Sequence, residues 1–301
     1  MSCGAGTCEV PVRPLASVII PAHNEAQVIT RCLDTLFTGI EPSELEVIVA
    51  CNGCSDDTAA LARSSGHPVR VLELETASKS AALREGDLAA HTLPRLYLDA
   101  DVILDGSSAR KVADRLNAGA IAARPPVVYS SSDASAPVRS YFRARSRMPS
   151  LLKSLWGAGV YGLSAAGRAR FVAFPDIVAD DLWVNLLFEP DEVEIVDCAP
   201  VVVAVPRRTR DLLRVLRRTY KGKVENGVGF SGDNRARETT LTTLLDLRRV
   251  AASGPAAAVD AATYAAFAAR ARLGLALGTA VGAAIVAERW ERDESSRRSV
   301  G

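Results

Sequence analysis

The chain has 301 residues, 48% of them hydrophobic and 24% charged, which is enough material for one large or two small domains. Its 36 Lys and Arg against 35 Asp and Glu leave a formal net charge of +1, excluding a global field that would hold nucleic acid or an anionic membrane. Any anionic partner must be held by local groups, and six scattered cysteines without the spacing of a small secreted scaffold fit a reducing cytoplasm.

The N-terminus, "MSCGAGTCEVPVRPLAS", has neither a basic leader nor a long apolar run, so no secretory signal is expected and residues 1–14 read as a flexible arm. "ASVIIPA" (16–22) predicts a short apolar strand, and the helical spacing of Val28, Ile29, Cys32, Leu33 and Leu36 predicts a helix after it. "LEVIVAC" (45–51) is the next strand, and "SDDTAALARSSG" a second helix with N-cap chemistry at its start and Gly66 at its end. "VRVLEL" (69–74) predicts a third strand, "KSAALREGDLAAH" a third helix and "RLYLDA" a fourth strand. Strand, helix, strand repetition implies a mainly parallel α/β sheet with right-handed crossovers.

Beyond Asp105 the pattern loosens. "AGAIAARPPVVYSS" predicts a strand broken by Pro125 and Pro126, and "SAPVRSYFRARSRMPSLLKSLW" a helix. "GAGVYGLS" reads as a glycine-rich strand or turn, "DIVADDLWVNLLFE" as a helix carrying paired acids, and "EVEIVDCAPVVVAVP" as further strands. From Arg207 the chain is mainly helical. Leu273 to Ala287 carries no charge, and Gly274, Gly278 and Gly282 form a small-residue stripe. A buried or homodimer-forming helix is the first reading of that segment and peripheral contact with the inner face of a membrane the second, since a span takes roughly 20 apolar residues.

In open parallel sheets ligands bind beyond the carboxyl ends of the strands. The segments there are "PAHNE", "CNGCSDDT", "ETASK" and "DADVILD", all small, polar or charged. No G-x-G-x-x-G follows the first strand and no G-x-x-x-x-G-K-[ST] is present, so phosphate must be handled otherwise. Asp99 and Asp101, around Ala100, offer hard oxygen ligands for Mg2+ or Mn2+, which would in turn hold a diphosphate. An isolated D-x-D more often caps a helix or faces water. Cys51 and Cys54 form C-x-x-C, but no second pair accompanies them to complete a zinc site.

Context changes the weight of the acids. "VIIPAHNEAQVITRCLDTL", "EVIVACNGCSDDTAALA", "ASKSAALREGD" and "RLYLDADVIL", in this order and at these separations, resemble the amino-terminal half of family 2 glycosyltransferases of GT-A fold. The resemblance implies a GT-A catalytic domain over 15–206, divided into a nucleotide-sugar-binding half (15–105) and an acceptor-side half (106–206), followed by a helical C-terminal region (207–301). It implies that Pro21, Ala22, His23 and Glu25 border the nucleoside and that Asp56 belongs to the base-reading loop. Lys79 is implied near the diphosphate, and Asp99 and Asp101 at ribose or sugar and metal. Asn52 stands where the family usually has an aspartate that reads the base, so uridine preference is not implied.

Transfer with inversion also needs a base for the acceptor hydroxyl. "VADDLWVN" resembles the family's acidic pair, Asp180 and Asp181, with Asp181 as the base. "WGAGVYGLSAAGRARF" resembles its acceptor-side segment: Gly157, Gly159 and Gly162 would let backbone approach substrate, and Trp156 and Tyr161 could stack on a sugar or belong to the core. Arg218 and Lys221 could lie over the leaving diphosphate, or on a solvated face. The Q-x-x-R-W signature of processive synthases is missing, which favours single or limited additions. The resemblance implies a metal-dependent inverting transferase, with a nucleotide-diphospho-sugar donor and a sugar, lipid-linked or small-molecule acceptor, working in glycan, glycolipid or glycosylated natural-product biosynthesis. The alternatives are a non-catalytic nucleotide-sugar-binding protein and a sugar nucleotidyltransferase. For the latter, "PAHNEAQ" lacks the glycine-rich basic loop that would grip a triphosphate.

Overall fold

The computed structural model describes residues 13–177, 179–225 and 234–280, with backbone alone for 221–225, 234–239 and 275–280. Most of the expected N-terminal arm and residues 281–287 of the uncharged C-terminal segment lie outside the described residues.

The first strand, β1 (Ala16–Ala22), is buried at every position, as an unbroken apolar run in the middle of a sheet covered on both faces must be. Helix α1 (Ile29–Leu36) follows and buries Ile29, Cys32, Leu33 and Leu36, one stripe at helical spacing. Strand β2 (Leu45–Asn52) pairs parallel with β1, Val18 opposite Val47, and after α2 (Thr58–Arg63) strand β3 (Val69–Leu74) pairs parallel with β2. Helix α3 (Lys79–Ala89) starts at Ser78, whose hydroxyl accepts the Ala81 N–H at 3.2 Å, and leads to β4 (Arg95–Leu98) on the other side of β1. The four strands are parallel, so their carboxyl ends share one edge.

Helix α4 (Gly106–Asn117), capped by Asp105, leads to β5 (Ala122–Arg124). Pro125 and Pro126 end that strand, because proline has no N–H to give a ladder, and β6 (Val127–Ser130) leaves the main sheet. Instead of one helix, two short ones follow, α5 (Ala136–Arg145) and α6 (Pro149–Leu152), with Pro149 opening the second. Strand β7 (Val160–Leu163) inserts antiparallel between β4 and β5. Then come α7 (Ala165–Arg168), α8 (Asp180–Asn185), β8 (Val193–Ile195) and β9 (Val201–Ala204). The seven-stranded sheet has the order β3-β2-β1-β4-β7-β5-β8, and β6 and β9 form a two-stranded parallel sheet beside it.

Alternate residues of β1 serve opposite faces: Val18 and Ile20 pack with Leu33 and Val112 of α1 and α4, while Ile19 packs with Leu83 of α3, Phe174 and Val184. Helices α9 (Thr209–Glu225), α10 (Asn234–Ala252) and α11 (Pro255–Ala280) add a third cluster, in which Leu247, Val250, Tyr264 and Phe267 close over Val138, Tyr141 and Met148. No described helix is long and apolar enough to cross a membrane.

One buried carboxylate ties α3, β4 and α7 together. Asp87 accepts the Tyr97 hydroxyl at 2.6 Å and pairs with Arg95 at 2.5 Å and with Arg168. Burial alone would raise its pKa, but the Arg168, Tyr97 and Arg95 bonds bring it below the usual carboxylate value. Replacing Asp87 with Ala strands two guanidinium groups and is expected to destabilise the fold by about 3–5 kcal/mol. Urea unfolding measures this, and a loss below about 1 kcal/mol would show the cluster to be dispensable.

Candidate active site

The loops after β1 and β2 are laced together by short side chains. Asn52 Nδ2 donates to the Ala22 carbonyl at 2.9 Å, and His23 Nδ1 donates to the Asn52 carbonyl. Asp56 accepts the Ala26 and Thr58 N–H groups at 3.2 and 3.1 Å, and the buried Glu25 donates its N–H to the Thr58 hydroxyl at 2.7 Å. Gly53 turns with φ +55°, and a Cβ there would lie 2.8 Å from Ala77 Cα, so the third loop seats directly on the second. Asn52 itself is 1% exposed. Its amide donor is used on Ala22, whereas its Oδ1 has no hydrogen-bond partner among the described residues.

Lys79, the first residue of α3, joins the two halves of the site. Its Nζ lies 2.8 Å from Asp99 Oδ1 and 2.7 Å from Asp180 Oδ1. Burial works against the ammonium, but Asp180 and then Asp99 more than offset it, so its pKa lies above the usual lysine value. The next residue reinforces the position: Ser80 Oγ donates to the Ile177 carbonyl at 2.9 Å and accepts the Ile177 N–H at 3.1 Å, anchoring the approach to α8. Asp180 also accepts the Tyr161 hydroxyl at 3.2 Å. Asp181 accepts the Gly157 N–H at 2.9 Å and the Leu182 N–H at 2.8 Å. Burial, and after it the neighbouring Asp180 charge, push the Asp181 carboxyl up to about 6.

Pro21, Lys79, Asp99, Gly159, Asp180 and Asp181 line one cavity, so first-strand motif, D-x-D and acidic pair converge in space. The Asp99 N–H donates to the Gly159 carbonyl at 2.8 Å, which brings the glycine-bearing segment before β7 against the D-x-D turn. Gly159 has φ +66°, and a Cβ there would lie 2.4 Å from Val102. Ala100 is buried in this turn, and Asp101 is half-buried at its outer side.

One expectation is sharpened and one needs correction. Tyr161 takes the core alternative: it is 3% exposed, stacks on Tyr97 with centroids 5.0 Å apart, and orients Asp180 from the inner wall of the cavity. Gly162 makes room for a helix instead of a substrate: a Cβ there would lie 2.7 Å from Leu116 Cδ1 of α4. Gly157 does lie at the site, and Trp156 is half-buried with its ring 4.4 Å from the Arg145 guanidinium carbon. Arg218 is exposed on α9 and is not among the cavity-lining residues, and the Lys221 side chain lies outside the described residues. Cys51 and Cys54 are free thiols, and among the described residues no group of three or more His, Cys, Asp or Glu could hold a metal.

Two residues were missed in the sequence. Tyr129 donates its hydroxyl to the Gly157 carbonyl at 3.1 Å and accepts from Arg145 Nε at 3.0 Å. The available signal was Arg145's register on α5, four residues after Tyr141 and seven after Val138, on the stripe those buried residues define.

The model of the family described as Glycosyl transferase family 2 matches residues 17–172, more than half of the chain. The chain belongs to glycosyl transferase family 2. Among solved structures it is similar to the mannosyltransferase PcManGT from Pyrobaculum calidifontis, determined with GDP-Man and Mn2+. Identity is 21%, the match covers 90% of this chain and 81% of that one, and the TM-score is 0.59. It is also similar to residues 1–349 of TarS from S. aureus, at 16% identity, 86% and 91% coverage and a TM-score of 0.51. No curated protein sequence matches it. The fold is therefore GT-A and the protein a glycosyltransferase.

The Lys79 cluster makes a prediction independent of substrate. Carbon-13 NMR should show the Asp181 carboxyl titrating near pH 6. Lys79→Gln should move that titration upward, because the lost ammonium is one of the groups holding it down. An unchanged midpoint in the variant would contradict the electrostatic account.

Proposed function

We propose that this family 2 member transfers a sugar, with inversion and with a divalent cation, from a nucleotide-diphospho-sugar to an acceptor hydroxyl, with Asp181 as the base. The observation that carries the reading is the Asp181 carboxylate. It is fixed by two backbone N–H groups, tuned to about 6, and shares one cavity with Asp99. A base near neutral pH is half prepared for its task, since it is ionised in the cell yet takes a proton more readily than an ordinary aspartate. Each carboxylate oxygen keeps a second lone-pair direction for the acceptor hydroxyl. In-line displacement requires that hydroxyl opposite the diphosphate, and Lys79 between Asp99 and Asp180 sets the separation of donor and acceptor sides.

The residues present fit a resident cation. Asp99 is 38% exposed toward the cavity, Asp101 lies two residues on, and cations such as Mg2+ take one or two protein carboxylates and complete their shell with water and substrate phosphates. Asp99 and Asp101 would hold Mn2+ or Mg2+, which when bound neutralises charge growing on the departing diphosphate. Lys79 is engaged by two carboxylates, and we assign it to positioning them. Pro21, Ala22, His23, Glu25 and Asp56 would shape the nucleoside pocket, with Asn52 as its reader. Because the Asn52 amide is committed to Ala22, the group left over is an acceptor, as an aspartate's would be. It suits a base with a ring N–H, uracil or guanine, and opposes adenine and cytosine, whose corresponding ring nitrogens are acceptors.

Three outcomes test the reading. Asp101→Ala, or excess chelator with the unaltered protein, should abolish donor turnover and cation-dependent nucleotide binding. Full activity under either condition would refute the cation's role. Transfer should rise with pH through about 6, and Asp181→Asn should lose turnover by at least about 100-fold while still binding nucleotide. The same shift works on stability: the folded state holds the Asp181 proton more tightly than the unfolded chain, so this group favours folding at low pH and ceases to do so as pH passes about 6. In calorimetry with Mn2+, UDP and GDP should bind at least about tenfold more tightly than ADP and CDP. Equal affinities would remove Asn52 as the reader.

A further inference from the structure

Arg145 is a buried cation, 7% exposed, for which no carboxylate partner exists among the described residues. Its Nε donates to the Tyr129 hydroxyl at 3.0 Å, and its guanidinium carbon lies 4.4 Å from the centroid of the Trp156 ring and 5.6 Å from that of Tyr129. Those contacts hold the plane of the group and leave its four terminal N–H donors without an acceptor among the described residues. Buried charges are ordinarily paired, because desolvation is costly, and ring faces return only part of the loss.

A second guanidinium makes the imbalance greater. Arg124, 1% exposed, donates to the carbonyls of Pro125, Leu151, Leu152 and Ser154 and so is satisfied by neutral groups. Its pKa is pushed down to about 10, by burial first, with Arg145 adding repulsion. The two cations therefore create a positive region that the protein's own acids do not neutralise.

The region adjoins the Asp181 side of the site through Gly157. A Cβ built on Gly157 would lie 2.2 Å from Arg145 Nη2, so the guanidinium rests on the Gly157 backbone. The N–H of that residue holds Asp181, and its carbonyl accepts from Tyr129. Gly157, at φ +80°, thus connects the base to the arginine. Asp99 and Asp101 sit beyond Gly159, on the donor side.

We propose that Arg145 binds an anionic group, a phosphate or carboxylate, carried by the acceptor near the hydroxyl that Asp181 deprotonates. A planar fork with its terminal donors unused matches two oxygens of such a group, and the stacked rings keep that fork in place before substrate arrives. The proposal rests on the reading of Asp181 as the acceptor-side base, and it narrows the acceptor from any hydroxyl compound to an acidic one.

The test fills the donor side first. With the full chain saturated with the tightest nucleoside diphosphate and Mg2+, glycerol 3-phosphate and glycerol are titrated calorimetrically. The phosphate probe should bind at least tenfold more tightly, and Arg145→Gln should abolish that preference with nucleotide affinity unchanged. Arg145→Lys, which keeps the charge and loses the fork, should retain a weaker preference and covers the case in which the glutamine variant does not fold. No preference in the unaltered protein, an undiminished one in Arg145→Gln, or loss of nucleotide affinity in the same proportion would overturn the proposal, the last by assigning Arg145 to the donor phosphates. Failure of the parent reading looks different: Asp181→Asn would then keep its donor turnover, whatever the two probes show.

Discussion

The site depends on one ammonium group held between two carboxylates. Lys79 Nζ bonds Asp99 just after β4 and Asp180 at the start of α8, segments far apart in the sequence. Without that cation, Asp99, Asp180 and Asp181 would repel one another in a partly dry cavity. With it, they converge, and burial, followed by the residual repulsion from Asp180, keeps the Asp181 pKa raised. The same arrangement keeps Asp180 structural, since its two oxygens are taken by Lys79 and Tyr161, and leaves Asp181 to face the cavity.

The antiparallel strand β7 makes this convergence possible. By inserting between β4 and β5 it runs back along the sheet, so the glycine-bearing segment before it reaches the edge where the parallel strands end. Gly159 then accepts from Asp99, and Gly157 donates to Asp181. The chain turns there with positive φ at both glycines, where a Cβ would collide with Val102 or Arg145. The C-terminal helices support the arrangement from outside: Asp260 of α11 accepts from Ser140 at 2.7 Å and pairs with Arg143 at 2.6 Å, steadying the helix that ends in Arg145.

The strands β1 and β3 were legible residue for residue, β1 because a strand buried throughout reads as an apolar run, and β3 because its half-buried apolar residues stand between polar turns. The single helix expected around residues 135–156 was not, since a helical pattern does not show where a chain will bend at Pro149 to bury a different face. Tyr161 and Gly162 illustrate the limit at the site. Both belong to a strand, and adjacent strand residues point to opposite faces, so one enters the α3 side of the core and the other receives α4. A motif aligned by spacing alone cannot tell a substrate-facing glycine from one that admits a helix.

By itself the sequence determined the alternation of strands and helices, the edge at which the loops gather, and the acids available there, because periodicity and turn chemistry are local properties of a chain. Tertiary structure alone decided which of those acids share a cation, which half of the Asn52 amide remains unused, and that Arg145 is buried beside Asp181's glycine with no carboxylate partner among the described residues. Such properties arise from contacts between residues far apart in sequence. A side chain's charge and chemistry are written in its identity, but its pKa and partners belong to its surroundings.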